Sequence, residues 1–237
     1  NGWEVCNGFA PYTVEDSAIV GRTADKSPNS FLCTKKEYGD FVLELDVLVD
    51  NALNSGIQIR SHRYADDRTV KTFNGKAIVE RKQTKGRVHG YQIEISPDDR
   101  GVSGGVYDEA RRGWLQAPEK DSPGSKAFKK GEWNKYKIQA LGDNIKVWIN
   151  GVQTADLIDP VDMTGFIALQ VHSFKGPHPA VVKWRNIRIQ DLGRHEWRPL
   201  FDGKTLSGWT HQGGGTFTVE NGAIVGRSKD GDERIGF

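Results

Sequence analysis

The chain has 237 residues, with 33 Lys and Arg against 31 Asp and Glu, a formal charge of +2. That length suffices for one large domain with a sizeable core. So even a balance excludes the strong field that selects nucleic acid or an anionic membrane surface, and no apolar run approaches the ~18 residues of a spanning helix.

The chain opens on Asn1-Gly2-Trp3 without a leader pattern, as expected of a mature or trimmed chain. Residues 12–14 and 18–21 flank Glu15-Asp16-Ser17, a hairpin turn composition. Residues 41–49 form a long apolar-rich strand. The basic run from Lys76 to Arg87 reads as a solvated loop, and residues 125–130 suit at most a short turn of helix. Residues 133–141 and 145–149 flank Gly142-Asp143-Asn144, and Asn150-Gly151 is a type I′ turn signal. Strands at 165–172 and 181–189 complete the rhythm. Many short strands between tight turns predict an all-β antiparallel sandwich.

Three of these strands alternate strictly: Ile57-Gln58-Ile59-Arg60, Tyr91-Gln92-Ile93-Glu94-Ile95 and Leu169-Gln170-Val171-His172. Successive strand side chains point to opposite faces. One face therefore collects Ile57, Ile59, Tyr91, Ile93, Ile95, Leu169 and Val171, and the other Gln58, Arg60, Gln92, Glu94, Gln170 and His172. These polar types grip hydroxyls and move protons. They describe either a concave ligand-binding face or a wet outer face. Two cysteines, Cys6 and Cys33, lie in strand-like segments. They are either a disulfide, worth roughly 3–4 kcal/mol in the chain-entropy model, or two buried thiols.

The segment Thr13-Val14-Glu15-Asp16-Ser17-Ala18-Ile19-Val20-Gly21-Arg22 recurs as Thr218-Val219-Glu220-Asn221-Gly222-Ala223-Ile224-Val225-Gly226-Arg227. Each copy follows a Gly-Trp pair, Gly2-Trp3 and Gly208-Trp209. The second copy has no counterpart of the strands from Phe41 onward. The expected organisation is a domain at 1–191, a linker at 192–199, and at 200–237 the truncated opening of a second copy. That opening is expected to dock on the first domain or to support self-association, because a lone hairpin is marginal in water.

The chain resembles the 3-keto-disaccharide hydrolase family of the concanavalin A-like lectin/glucanase superfamily. The resemblance runs through Asn54-Ser55-Gly56-Ile57-Gln58-Ile59-Arg60-Ser61, Gly90-Tyr91-Gln92-Ile93-Glu94-Ile95 and Gly104-Gly105-Val106-Tyr107-Asp108-Glu109 with Arg111-Arg112-Gly113-Trp114. It continues through Trp148-Ile149-Asn150-Gly151 and Gly165-Phe166-Ile167-Ala168-Leu169-Gln170-Val171-His172. It implies a jelly-roll sandwich of two antiparallel sheets, a carbohydrate substrate, and a secreted or periplasmic bacterial setting. Glucanases of this fold carry a Glu-x-Asp-x-x-Glu strand. Here Gln92 replaces the first acid, and no acid follows Glu94 until Asp98, beyond Pro97. That departure counts against ordinary two-carboxylate hydrolysis.

A 3-keto sugar needs a base for the C2 proton, an enolate stabiliser and an acid for the leaving group. His172 and Glu94 are the candidate base and acid, in either order, and Arg60 the candidate enolate holder. Gln58, Gln92, Gln170, Tyr107, Asp108, Arg111 and Trp114 are the candidate substrate-binding residues, with Trp114 suited to stack on a pyranose face. No cofactor is required by the sequence, although His172 and Glu94 are also ligand types for a divalent metal ion. A non-catalytic carbohydrate-binding module is the alternative reading. Trp133, Trp148 and Trp184 read as packing residues, and His62, His89, His178, His195 and His211 as surface.

Overall fold

The computed structural model describes residues 2–73, 77–177, 179–194 and 198–228. The chain forms two compact units, Asn1–His195 and Glu196–Phe237. His178 and His195 lie outside the described residues. No helix occurs among those residues, so none is long and apolar enough to cross a membrane.

The first unit runs β1 (Trp3–Cys6), β2 (Tyr12–Glu15), β3 (Ala18–Arg22), β4 (Ser30–Tyr38), β5 (Asp40–Val49), β6 (Ser55–Arg63), β7 (Arg68–Phe73), β8 (Ile78–Gln83) and β9 (Val88–Ile95). It continues β10 (Val106–Glu109), β11 (Gly113–Gln116), β12 (Asn134–Leu141), β13 (Asn144–Ile149), β14 (Val152–Ile158), β15 (Gly165–Val171) and β16 (Val181–Gly193). The front sheet orders β1-β4-β15-β6-β9-β10-β11 and the back sheet β14-β13-β12-β5-β16-β3-β2, every pair antiparallel. This is the concanavalin A-like sandwich. The basic run holds a strand rather than only a loop: β7 and β8 pair as an exposed hairpin, with Lys71 and Glu80 3.0 Å apart across it. Residues 123–127 make two successive turns, Lys126 to Pro123 and Ala127 to Gly124, and no helix.

The core lies between the sheets. On β5, Phe41, Leu43, Leu45, Val47 and Val49 turn inward, while Glu44 and Asp46 turn out to Arg188 and Asn186. The front sheet answers with Ile57, Ile59, Tyr91, Ile93, Ile95, Leu169 and Val171, all fully or almost fully buried. The greasy face expected of the three alternating strands is thus the inner face.

Arg60 breaks that alternation. It has φ 44°, and the β6–β9 register shifts between Ile59 and His62, which marks a bulge. The bulge turns Arg60 inward and restores the outer face at Ser61, whose hydroxyl reaches Gln58 Oε1 at 2.7 Å. The Arg60 guanidinium is 0% exposed. It donates to the carbonyls of Gly39 (2.8 Å) and Gly142 (2.6 Å) and to the Asp40 carboxylate (3.0 Å). Asp40 also accepts the Gly142 N–H at 2.9 Å. Arg60 therefore ties the β4–β5 and β12–β13 corners to the front sheet and takes no part in a ligand site. Across the bulge, a Cβ on Gly165 would meet the Arg60 carbonyl carbon at 2.4 Å, so that position needs glycine.

One end of the sandwich is closed by a polar plug. Asp108 faces inward beside Tyr91, binds Arg111 Nε at 2.8 Å and also holds Arg112. Arg112 reaches Asp159 at 2.7 Å, and Arg111 also pairs with Asp162. His62 Nε2 lies 3.6 Å from Asp162, and His89 stacks on Tyr64 at 4.1 Å. His89 is a plug residue rather than a surface one, and its pKa is pushed down to about 4, first by burial and then by the charge of Arg111.

The second unit holds β17 (Thr216–Glu220) and β18 (Ala223–Arg227), paired as one antiparallel hairpin. Arg227 there contacts Thr218 (3.0 Å) and Glu220 (2.6 and 2.8 Å). Arg22 makes the same set with Thr13 (3.0 Å) and Glu15 (2.8 Å twice).

Two stability outcomes are expected. Arg60→Ala leaves Asp40 half-buried without its guanidinium, and should lower urea-unfolding stability by about 3–5 kcal/mol without changing ligand affinity of the folded protein. His89 has a folded pKa below its unfolded value of ~6.5. Its contribution is therefore present above that value and lost as pH falls through the interval down to about 4. The loss should be at most about 3 kcal/mol, and His89→Phe, which keeps the stack on Tyr64, should show a shallower acid decline between pH 6.5 and 4.

Candidate active site

The outer face of the front sheet carries a cavity of about 340 Å³ lined by Asn54, Gln92, Glu94, Arg100, Tyr107, Glu109, Trp114 and His172. Strand geometry selects these residues. Gln92 and Glu94 alternate outward on β9 between the inward Tyr91, Ile93 and Ile95. Register places Tyr107 opposite Gln92 and Glu109 opposite Gly90. Tyr107 and Trp114 meet edge to face, with ring centres 5.4 Å apart. They form an aromatic wall of the kind that takes the apolar face of a sugar ring.

Beneath the cavity runs a chain of side-chain amides. Gln58 Nε2 and Gln170 Nε2 both donate to Gln92 Oε1, each at 2.8 Å. Gln92 Nε2 then donates to Glu94 Oε2 at 3.0 Å, and Asn54 Nδ2 to Glu94 Oε1 at 2.5 Å. The Gln92 side chain crosses Gly56 to reach Gln170. A Cβ at position 56 would lie 2.6 Å from Gln92 Cγ and Cδ. Gln58 and Gln170 are on the expected face, but both are 0% exposed and form the floor rather than the lining.

Glu94 is 5% exposed. Burial raises its pKa, against the opposing hydrogen bonds from Asn54 and Gln92. Each carboxyl oxygen uses one acceptor site on an amide, which leaves its remaining positions for the cavity. His172 follows β15 directly, and its Nδ1 lies 2.7 Å from the Ser173 carbonyl oxygen. A carbonyl only accepts, so Nδ1 carries the hydrogen and Nε2 of the neutral ring holds a free lone pair. Glu109 is a second carboxylate in the cavity, 2.5 Å from Arg87 Nη2 and 3.5 Å from Asn29 Nδ2. Arg100, on the loop between β9 and β10, is held by Asp98 through Nε (2.8 Å) and Nη2 (2.5 Å).

Of the residues read from sequence, Gln92, Glu94, Tyr107, Trp114 and His172 line this cavity. Arg60, Asp108 and Arg111 do not, because the bulge turns the first inward and the other two belong to the plug. Asn54, Arg100 and Glu109 are additions. The two-residue period carried the signal for two of them: Asn54 precedes Gly56 and Gln58 on one face, and Tyr107 shares its face with Glu109, not with Asp108. Arg100 lies on a loop, where no period applies. Among the described residues, no three His, Cys, Asp or Glu side chains gather to hold a metal ion.

Cys6 and Cys33 are buried free thiols on the same outer face. Cys6 pairs with Phe31 and Glu4 with Cys33, so the two are diagonal neighbours rather than directly opposite. That diagonal spacing is ~7–8 Å between Cα atoms, at the outer limit of disulfide reach. Their Sγ atoms donate instead to backbone carbonyls, Cys6 to Glu4 and Cys33 to Phe31, each at 3.8 Å. The nearness of the two thiols lowers the pKa of Cys6 and raises that of Cys33.

The family model of the 3-keto-alpha-glucoside-1,2-lyase-like domain matches residues 1–190 and again 196–235. The chain belongs to this family. The 3-keto-alpha-glucoside-1,2-lyase-like family comprises glycoside-acting hydrolase- or lyase-like domains, and the matched residues 196–235 contain the repeated hairpin. Among solved structures, the chain is similar to a carbohydrate-binding module from Bacillus subtilis (CBM66). Identity there is 16%, coverage 80% of this chain and 96% of that one, and the TM-score 0.53. It is also similar to a candidate glycosyl hydrolase from Parabacteroides distasonis, with 18% identity, 81% and 88% coverage and a TM-score of 0.52. A Bacillus subtilis protein of unknown function with a galectin-like fold is a third, with 13% identity, 81% and 90% coverage and a TM-score of 0.54. At these identities the likeness concerns the fold. No curated protein matches the chain.

The floor and the lining should separate on mutation. Gln58→Leu leaves Gln92 Oε1 with one donor fewer and leaves Ser61 Oγ only the carbonyls of Ile59 and Tyr91 as acceptors, at about 1–3 kcal/mol of stability. Because Gln58 does not line the cavity and Gln170 still holds the Gln92 oxygen, saccharide Kd measured by calorimetry should stay within about twofold.

Proposed function

We propose that this cavity cleaves 3-keto-glycosides by elimination and rehydration. The observation that carries the reading is Glu94, a buried carboxyl with raised pKa held by two amides, in one cavity with a His172 whose Nε2 is free to take a proton. The C3 ketone acidifies the C2 hydrogen. His172 Nε2 takes that proton, and the C2–H electron pair becomes an enolate whose oxygen is the former ketone. Collapse of the enolate forms C1=C2, breaks the C1–O bond and restores the ketone, while Glu94 gives its proton to the departing oxygen. Water then adds at C1, C2 recovers a proton from His172, and Glu94 is reprotonated by the water. The sum is hydrolysis of the glycosidic bond.

The enolate role first read for Arg60 passes to Arg100, the guanidinium that lines the cavity. A positioned proton-transfer group is worth roughly 10²–10⁴-fold. Preorganised positive charge at the enolate oxygen adds to that. The Tyr107–Trp114 wall holds the ring in ground and transition states alike.

The test is turnover of a 3-keto-glucoside beside its unoxidised parent. The oxidised substrate should be cleaved with deuterium entering C2 from D2O, and the parent should not. His172→Ala and Glu94→Gln should each lower kcat by about 10²–10⁴-fold. Trp114→Ala should chiefly raise KM. The rate should fall as pH rises through the raised pKa of Glu94, because the acid form is the working one. Glu94→Gln should lack that alkaline limb. Saccharide binding without turnover of either glycoside would instead make the cavity the face of a binding module.

A further inference from the structure

A second cavity of about 430 Å³ lies on the same outer face, and its lining includes Cys6, Asn7, Arg63, Thr84, Lys85 and Arg87. Three cations and no carboxylate line it. Two acids stand just outside and each engages one arginine: Glu4 holds Arg63 at 2.8 Å, and Glu109 holds Arg87 at 2.5 Å. Lys85 has no such partner among the described residues, and Arg87 Nε is buried without one. The pocket therefore keeps an excess of positive charge and an unused donor.

Its position gives that charge a meaning. Arg87 lines this pocket while its partner Glu109 lines the cavity of Glu94 and His172. One ion pair is thus shared by the two cavities. A saccharide that fills the main cavity and extends past Glu109 would meet Arg87 and the second pocket.

We propose that this pocket is a subsite for an acidic sugar, taking the carboxylate of a uronate ring next to the ring held in the main cavity. The proposal rests on the saccharide reading of that cavity and goes beyond it by naming the substrate class. A planar carboxylate matches a guanidinium fork, and exposed cations make the attraction fall with salt. The Arg87–Glu109 pair then has two duties, holding Glu109 in one cavity and presenting the rest of its guanidinium to the other.

The test uses the full chain, labelled with ¹⁵N, titrated with glucuronate, glucose and inorganic sulfate. Glucuronate should shift the amides of Thr84, Lys85, Gly86 and Arg87 with a Kd at least tenfold below that of glucose, weakening as NaCl is raised. Lys85→Ala with Arg63→Ala, both exposed positions, should weaken glucuronate at least fivefold and leave glucose unchanged; the single Lys85→Glu variant should do the same if the pair perturbs the fold. Equal response to glucose, no response at these amides, or glucuronate affinity unchanged in the variants would overturn the proposal. Sulfate binding as tightly as glucuronate would reduce the pocket to a general anion site and overturn it too. His172→Ala should keep the glucuronate response whether or not it loses turnover. Failure of the elimination mechanism and failure of the subsite thus show in different measurements.

Discussion

The candidate site depends on the two hydrogen bonds that Gln92 Oε1 accepts from Gln58 and Gln170. An amide has one acceptor and one donor end, and the two ends exchange by a simple flip. With two buried donors on its oxygen, Gln92 cannot flip without leaving donors facing a donor. Its Nε2 must then face Glu94, which fixes one carboxyl oxygen and leaves the acidity of Glu94 to burial. Three strands meet in this one amide, because Gln58 comes from β6, Gln92 from β9 and Gln170 from β15. A shift of one residue in any of them would turn its glutamine into the apolar core. Register, amide orientation and proton affinity are one constraint seen at three scales.

The inner face makes the opposite use of charge. Arg60 is fully buried, yet its bonds go mainly to backbone carbonyls at two corners. Corners carry backbone groups that no ladder satisfies, and a guanidinium supplies several donors in a rigid fork. Desolvation disfavours the charged Arg60, and the Asp40 charge opposes that effect. The plug around Asp108 follows the same logic with more members. Arg60 and the plug thus close one end of the interior with ionic groups, linked through Tyr91, Asp159 and Asp162, while the outer face holds a carboxyl by neutral amides. The two amides hold Glu94 without adding a charge of their own, so burial can raise its pKa; an arginine in place of Gln92 would lower it.

Most of the fold was legible because strand alternation and turn composition are local. The inner set from Ile57 to Val171 followed from period two, and the hairpin turns from their composition. The same period placed Gln58, Gln92, Glu94 and Gln170 on one face. It failed at Arg60, since a bulge inserts one residue and nothing in Ile59-Arg60-Ser61 announces it. It was not applied far enough at Tyr107-Asp108-Glu109, where alternate members share a face and the tempting neighbours do not. Depth was also hidden: sequence separates faces, but it does not say which glutamine lies under another. Arg100, Lys85 and Arg87 come from loops, whose placement depends on closure of the whole sandwich.

The two copies of the Thr-Glu-Arg hairpin carry a consequence for assembly. In the first unit, β3 lies against β16, some 160 residues further along the chain. In the second unit, the same three side chains make the same bonds within a two-stranded sheet. The pairing of β2 with β3 is therefore written in residues 12–22 alone and does not wait for β16. Contacts so short in sequence close early and cheaply in loop entropy. A lone hairpin is marginal in water, so β2 and β3 can pair on local contacts but are held only once β16 lies along the edge of β3.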